Sequence, residues 1–192
     1  KERRERIKRH HSATHLLHAA LQLKLGTHIE QQGSYVGPDR LRFDFTHHSS
    51  LTKEEIHQIE DLVCQQVHLN QRIKTDLMDL KEAKESGAMA LFGEKYSEKV
   101  RVLTIGSFSK ELCGGTHLEA TGQLGSFRIT AESSISSGVR RIEAVAGWAA
   151  VELERQDRET VSGINELLKA KPEHILIRVK ELSKEVKRLE KE

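Results

Sequence analysis

Two short runs carry side chains able to hold a metal ion. His11-Ser12-Ala13-Thr14-His15 sets two imidazoles four positions apart, and Cys113-Gly114-Gly115-Thr116-His117 sets a thiol and an imidazole four positions apart. On a helix, positions i and i+4 share one face about one turn apart. The first run sits in a strong helical pattern, so His11 and His15 can point at one ion. The Gly114-Gly115 pair predicts a tight loop where the backbone bends or approaches a neighbour closely. Three imidazoles and a thiolate suit tetrahedral zinc, whereas magnesium or calcium would want oxygens. Neither pair is specific alone. Apolar helices often carry satisfied core histidines, and Ser12 stands where the glutamate of a metalloprotease HExxH would be. Together the pairs supply a full set of four ligands. His18 is a rival ligand on the same helix and His10 a weaker one; both are read as supporting, packing or surface residues.

The elements that must position these residues follow from hydrophobic periodicity. Residues 3–25 read as a helix with Ala13, Leu16, Leu17, Ala20 and Leu23 on one face. His11, His15 and His18 take the roughly opposite face, flanked by Ile7, Leu21 and Leu25. A helix apolar on most sides is buried on most sides, so the histidines are expected to point inward. Gly26 is the expected C-cap. Strands are expected over 28–36 and 41–45 around the turn Gly37-Pro38-Asp39-Arg40. Thr52 and Glu55 make a capping box for a helix striped by Ile56, Ile59, Val63 and Val67. Cys64 beside that stripe reads as a small buried hydrophobe.

A strand over 72–77, anchored by Ile73 and Leu77, precedes a short helix over 81–91 broken by Gly87. The strand 100–105 is expected to lead into the Cys113 loop. Strands over 125–131 and 139–146 flank a Ser/Gly loop, and a helix over 147–168 ends before Pro172. Ile175, Val179, Leu182, Val186 and Leu189 then repeat in steps of 4, 3, 4 and 3, a coiled-coil seam that wants a partner helix. The expected fold is α+β, a mostly antiparallel sheet packed with helices over 1–150. A helical extension over 151–192 would carry the start of a coiled-coil segment.

The chain of 192 residues is 36% hydrophobic and 31% charged, the balance of a soluble globular protein with one sizeable core. No apolar run approaches a membrane span. Two cysteines, Cys64 and Cys113, give no disulfide framework and fit a reducing, cytoplasmic compartment. A net charge of +2 does not by itself argue for nucleic acid. Arg140-Arg141 could contact phosphates, or one could be exposed while the other pairs with a carboxylate such as Glu143. No carboxylate stands near the two metal runs as an evident base.

The runs HSATHLLHAAL (11–21), Gln31-Gln32-Gly33-Ser34, LRFDF (41–45), GAMALFGEKY (87–96), CGGTH (113–117) and SGVRRIEAVAG (137–147) closely resemble the editing domain of alanyl-tRNA synthetase. The likeness runs almost unbroken from residue 3 to 147. Related domains occur in threonyl-tRNA synthetase and in free-standing alanyl-tRNA editing proteins. The resemblance implies zinc-dependent hydrolysis of Ser-tRNA(Ala) and Gly-tRNA(Ala). Its partners would be the tRNA(Ala) acceptor end and the rest of a synthetase chain. It makes His11, His15, Cys113 and His117 the zinc ligands and Gln31 a pocket residue that tells serine from alanine. Gln32 is a weaker candidate, since strand alternation turns it to the other face. Gly114, Gly115, Arg140 and Arg141 are where the tRNA 3′ end is expected. The opening KERRERIKR reads as an internal run of the synthetase, and the last helix as the way towards its oligomerisation domain.

Four protein ligands fill a tetrahedral site, whereas a catalytic zinc keeps a position for water. One ligand such as His117 could yield, the coordination could expand, or the ion could only position substrate. A free-standing deacylase, a zinc-stabilised RNA-binding module without catalysis and an oligomerisation module working through the last helix are the rival readings.

Overall fold

Helix α1 (Glu2–Leu25) changes character half-way along. Its first turns are basic and exposed or half-buried, while every residue from Ser12 to Leu21 is buried. Alanine and leucine there favour the helix and fill the core together. Polar side chains interleave with them, so the buried half must satisfy each one internally.

The structure, a computed structural model, describes residues 1–90 and 97–191. Strands β1 (Gln31–Val36), β2 (Leu41–Thr46), β6 (Phe127–Ser136) and β7 (Val139–Ala146) form one antiparallel sheet in the order β1-β2-β7-β6. Strands β3 (Ile73–Asp79), β4 (Lys99–Ile105) and β5 (Ser109–Leu112) form a second, in the order β3-β4-β5. Helix α1 touches β1, β2 and β7 of the first sheet, β5 of the second and helix α2 (Lys53–Leu69). Thr52 and Glu55 cap α2 with the reciprocal bonds of a capping box. Leu16, Leu17, Phe43, Phe45, Ile59 and Ile142 are fully buried where these layers meet. The other face of β4 packs Val100 and Val102 against Ala83 of α3 (Leu80–Glu85). The fold is α+β as expected, with two sheets in place of one.

Several local expectations change. Leu23 is exposed and Leu21 takes its place in the core. The first strand begins at Gln31, since residues 28–30 lie before its ladder. Leu77 is also exposed: it stands opposite Arg101, beyond Leu103 and Ile105, the core residues on that face. The expected helix over 81–91 is α3, which ends at Glu85, and residues 91–96 of the GAMALFGEKY run lie outside the described residues. The Ser/Gly loop is mostly strand, because β6 continues through Ser136 before turning at Gly138 (φ +73). Strand β5, absent from the sequence reading, returns antiparallel to β4 before the Cys113 loop.

The chain divides into two compact units, residues 1–150 and 151–192. The second holds most of α4 (Trp148–Leu168), a 3-10 turn at Pro172–His174 and α5 (Ile175–Leu189). Val179, Leu182, Val186 and Leu189 are exposed along α5. No helix among the described residues is long and apolar enough to cross a membrane.

His10 shows how α1 meets its polar obligations. Its Nδ1–H donates to the Gly37 carbonyl (2.8 Å), and its Nε2 accepts from the Ala146 N–H (3.0 Å). Both nitrogens are used in one neutral tautomer. Burial holds this imidazole below its ordinary pKa, although the Gly37 bond opposes the shift. The unfolded chain therefore binds the proton first as pH falls. Stability is full above about 6.5 and declines below it towards the folded pKa. His10→Asn should cost about 1–3 kcal/mol at pH 7 by orphaning the Ala146 N–H. Denaturation midpoints should then fall less between pH 7 and 5 in H10N than in the wild type.

Candidate metal centre

His11 and His15 project from the buried half of α1, and Cys113 and His117 begin and end the loop after β5. Each offers one ligand atom, and the four atoms lie within 4.8 Å of one another, close enough to hold a metal ion. Cys113 Sγ is 3.4 Å from His11 Nε2 and 3.3 Å from His117 Nε2. Tetrahedral nitrogen and sulfur ligands of one ion stand about 3.5 Å apart. His15 Nε2 is buried without a hydrogen-bond partner among the described residues, and it is one of the four clustered ligand atoms.

The loop is fastened from both sides. The Cys113 N–H donates to the Arg101 carbonyl (2.9 Å), and Arg101 Nη1 donates to the Gly114 carbonyl (3.3 Å). The Leu118 N–H donates to Ser12 Oγ (3.1 Å), which also lies 3.5 Å from His117 Nδ1. Ser12 thus sits between the two ligands of α1 and ties the second run to the first. Gly115 is pressed against the His11 ring, where a Cβ would overlap the ring carbon; a Cβ on Gly114 would meet nothing.

The carboxylate missing from the sequence reading is Glu111, two residues before Cys113 on β5. It is 1% exposed. Its Oε2 accepts from His15 Nδ1 (2.7 Å), which aims His15 Nε2 at the cluster. Its Oε1 accepts from Ser109 Oγ (3.2 Å) and lies 3.3 Å from His18 Nδ1, within ion-pair reach but off the hydrogen-bond direction. Burial opposes charge on Glu111, yet His15 and then His18 hold its carboxyl well below the usual range. Burial also opposes the Cys113 thiolate, but the His11, His117 and His15 contacts bring its pKa down to about 3. The thiolate is the form that ligates a metal. Burial disfavours charge on His15; Glu111 and Cys113 overcome it and raise the imidazole to about 10. His117 is held below its ordinary value by burial.

The remaining sequence candidates fall elsewhere. Gln31 pairs in register with Phe45, a core residue, so it shares the helix-facing side of the first sheet. The register then slips, leaving Gln32 as the extra residue of a bulge, exposed to solvent. Gln31 and His18 line one cavity of about 260 Å³, together with Gln22, Ile29 and Met89. Arg140 and Arg141 are both paired within the chain. Arg140 Nε donates to Glu132 Oε1 (2.5 Å), and Arg141 makes a two-pronged contact with Asp44 (2.7 and 2.8 Å). Neither takes Glu143 as its main partner, because the strand register sets Asp44 directly opposite Arg141.

Residues 100–143, which include Glu111, Cys113 and His117, match the family model for the threonyl and alanyl tRNA synthetase second additional domain. The alanine–tRNA ligase of Idiomarina loihiensis is 53% identical over 190 residues, covering 99% of this chain and 22% of that protein. The alanine–tRNA ligase of Shewanella loihica is 50% identical over 192 residues, covering 100% of this chain and 22% of that protein. The chain belongs to the alanyl-tRNA synthetase family. It spans about a fifth of the length of these curated relatives. The metal-competent cluster joins the first helix to the matched additional domain.

Two outcomes follow for zinc titration, read with a competing chelating dye. Gly115→Ala should weaken binding by about 10–100-fold by displacing His11, while Gly114→Ala should stay within about twofold. Glu111→Gln should also lose at least about tenfold, because the carboxylate that orients His15 Nδ1 is gone.

Proposed function

We propose that this chain is the editing unit of an alanyl-tRNA synthetase, a zinc-dependent deacylase of Ser-tRNA(Ala) and Gly-tRNA(Ala). The observation that carries the reading is the convergence of His11, His15, Cys113 and His117, within the alanyl-tRNA synthetase family, on one ion-sized centre. The donor set, three imidazole nitrogens and a depressed thiolate, fits zinc and not a hard oxygen-seeking cation. Zinc bound there would supply Lewis-acid polarisation or orientation of the aminoacyl ester.

The need for such a site is physical. An alanine pocket cannot strongly exclude the smaller glycine or reject serine with its one added hydroxyl. Such differences are worth about 1–3 kcal/mol, and a second sieve supplies the rest. The chain's own groups divide the work. Gln31, on the cavity wall, presents an amide able to bond the serine hydroxyl. Gly114, where an added Cβ would meet nothing, gives the 3′ end of the tRNA a place to approach the centre, and Gly115 packs on His11. Arg140 and Arg141 carry positive charge on the same strand, although their carboxylate partners hold both guanidiniums in place. Glu111 keeps His15 in one tautomer and is too engaged to serve as a base.

Identity across the whole chain to alanine–tRNA ligases supports a unit working within a synthetase over a free-standing deacylase. The other parts of that synthetase and the acceptor end of tRNA(Ala) are the partners this reading requires, in the cytoplasm where translation proceeds. The uncovered apolar seam of α5 suits self-association or a partner helix. One observation favours a second reading: four protein ligands are also the set of a purely structural zinc site. In that case the chain would bind tRNA without removing its amino acid.

A deacylation time course separates the two. The purified chain should release serine and glycine from charged tRNA(Ala) and spare alanine, with activity lost in Cys113→Ala. Full activity in C113A would overturn the metal-dependent mechanism. No release by the wild type, even from a charged acceptor minihelix at high enzyme, would overturn the deacylase reading.

A further inference from the structure

His18 is a buried polar residue of α1 that is not among the four metal-competent side chains. It is 4% exposed, and it lines the same cavity as Gln31. Its Nδ1 faces Glu111 Oε1 at 3.3 Å, and its ring lies against Phe43 with centroids 5.1 Å apart. Its Nε2 is buried with no hydrogen-bond partner among the described residues. An orphaned polar atom of this kind costs stability unless something else rewards it. Two neighbouring polar groups are already engaged within the chain. Gln22 Nε2 donates to the Ile29 carbonyl (2.9 Å), and the Glu30 N–H donates to Thr46 Oγ1.

The chemistry of the orphan follows from its other nitrogen. A carboxylate only accepts, so the Glu111 side of the ring favours the tautomer with hydrogen on Nδ1. Nε2 is then a lone pair. Ile29 and Met89 give the cavity an apolar wall, so a small group with one donor fits it better than a charged one. A hydroxyl on a short aliphatic stem is such a group.

We propose that His18 is a specificity-determining residue whose Nε2 accepts the hydroxyl hydrogen of the seryl group, opposite Gln31 in the same cavity. The proposal rests on the deacylase reading and deepens it. Glycine and alanine bring no donor to this lone pair. His18 therefore separates serine from both. Because Glu111 touches His15 as well, the group that reads the side chain and the group that ligates the ion share one buried carboxylate.

The test compares His18→Leu, which keeps the bulk but loses the acceptor, with His18→Gln, whose amide oxygen can stand in for Nε2. Release of serine and of glycine from tRNA(Ala) is measured for each variant. In parallel, calorimetry follows binding of seryl and glycyl adenosine analogues in which an amide replaces the ester. The H18L variant should lose at least tenfold in kcat/KM and in affinity for the seryl compounds, with the glycyl values within about twofold. H18Q should recover most of the loss, and zinc content should stay at the wild-type level in both. Equal loss for serine and glycine, or no loss for either, would overturn the role given to His18. A wild-type chain that binds the seryl analogue better than the glycyl one but releases neither amino acid fails the deacylase reading alone. The same H18L comparison by calorimetry then still decides His18.

Discussion

A single buried carboxylate sets the geometry of the centre. Glu111 sits 1% exposed between two imidazoles of α1, with one oxygen on His15 and the other beside His18. Removing a charge from water costs several kcal/mol unless partners compensate it. Here the partners are the side chains that must be oriented. The carboxylate keeps its charge because His15 is there, and His15 keeps its direction because the carboxylate is there. Ser109 Oγ completes the arrangement on the open side of Oε1.

That constraint explains why α1 is mixed around its circumference. A helix inside a core would normally be apolar all round. This one carries His10, Ser12, Thr14, His15 and His18 among alanines and leucines, and His15 and His18 share Glu111. His10 holds the first sheet at Gly37 and Ala146, Ser12 holds the loop after β5 at Leu118, and Thr14 bonds back to the His10 carbonyl. The polar residues thus fix the helix in rotation and in height, which apolar packing alone does less sharply. The two sheets meet at the centre because the same helix is pinned to both.

The sequence made the donor set legible because both pairs keep short local spacings, and α1, the capping box at Thr52 and the final seam were equally local signals. What it hid is pairing at long range. Glu111 stood two residues from Cys113, yet nothing local says that β5 turns it towards α1, and β5 was itself overlooked because four residues carry too little periodicity. Arg140 and Arg141 read as possible phosphate ligands, and only the register between β2 and β7 reveals that Asp44 stands opposite one of them. Leu23 and Leu77 show the same limit from the apolar side: a hydrophobic position at the right period can still lie beyond the edge of the core. The bulge at Gln32 follows from pairing with β2, which no run of six residues announces.

The distance along the chain between the halves of the centre has a consequence for its birth. His11 precedes Cys113 by 102 residues. At translation rates of about 5–20 residues per second, the helix leaves the ribosome roughly 5–20 s before its partners exist. For that interval its buried face, polar and apolar together, has neither carboxylate nor thiolate to meet. Docking of the loop after β5 onto the helix is then also the moment at which the ion's coordination can be completed. Occupancy by metal becomes a record that the first helix and that loop have found one another.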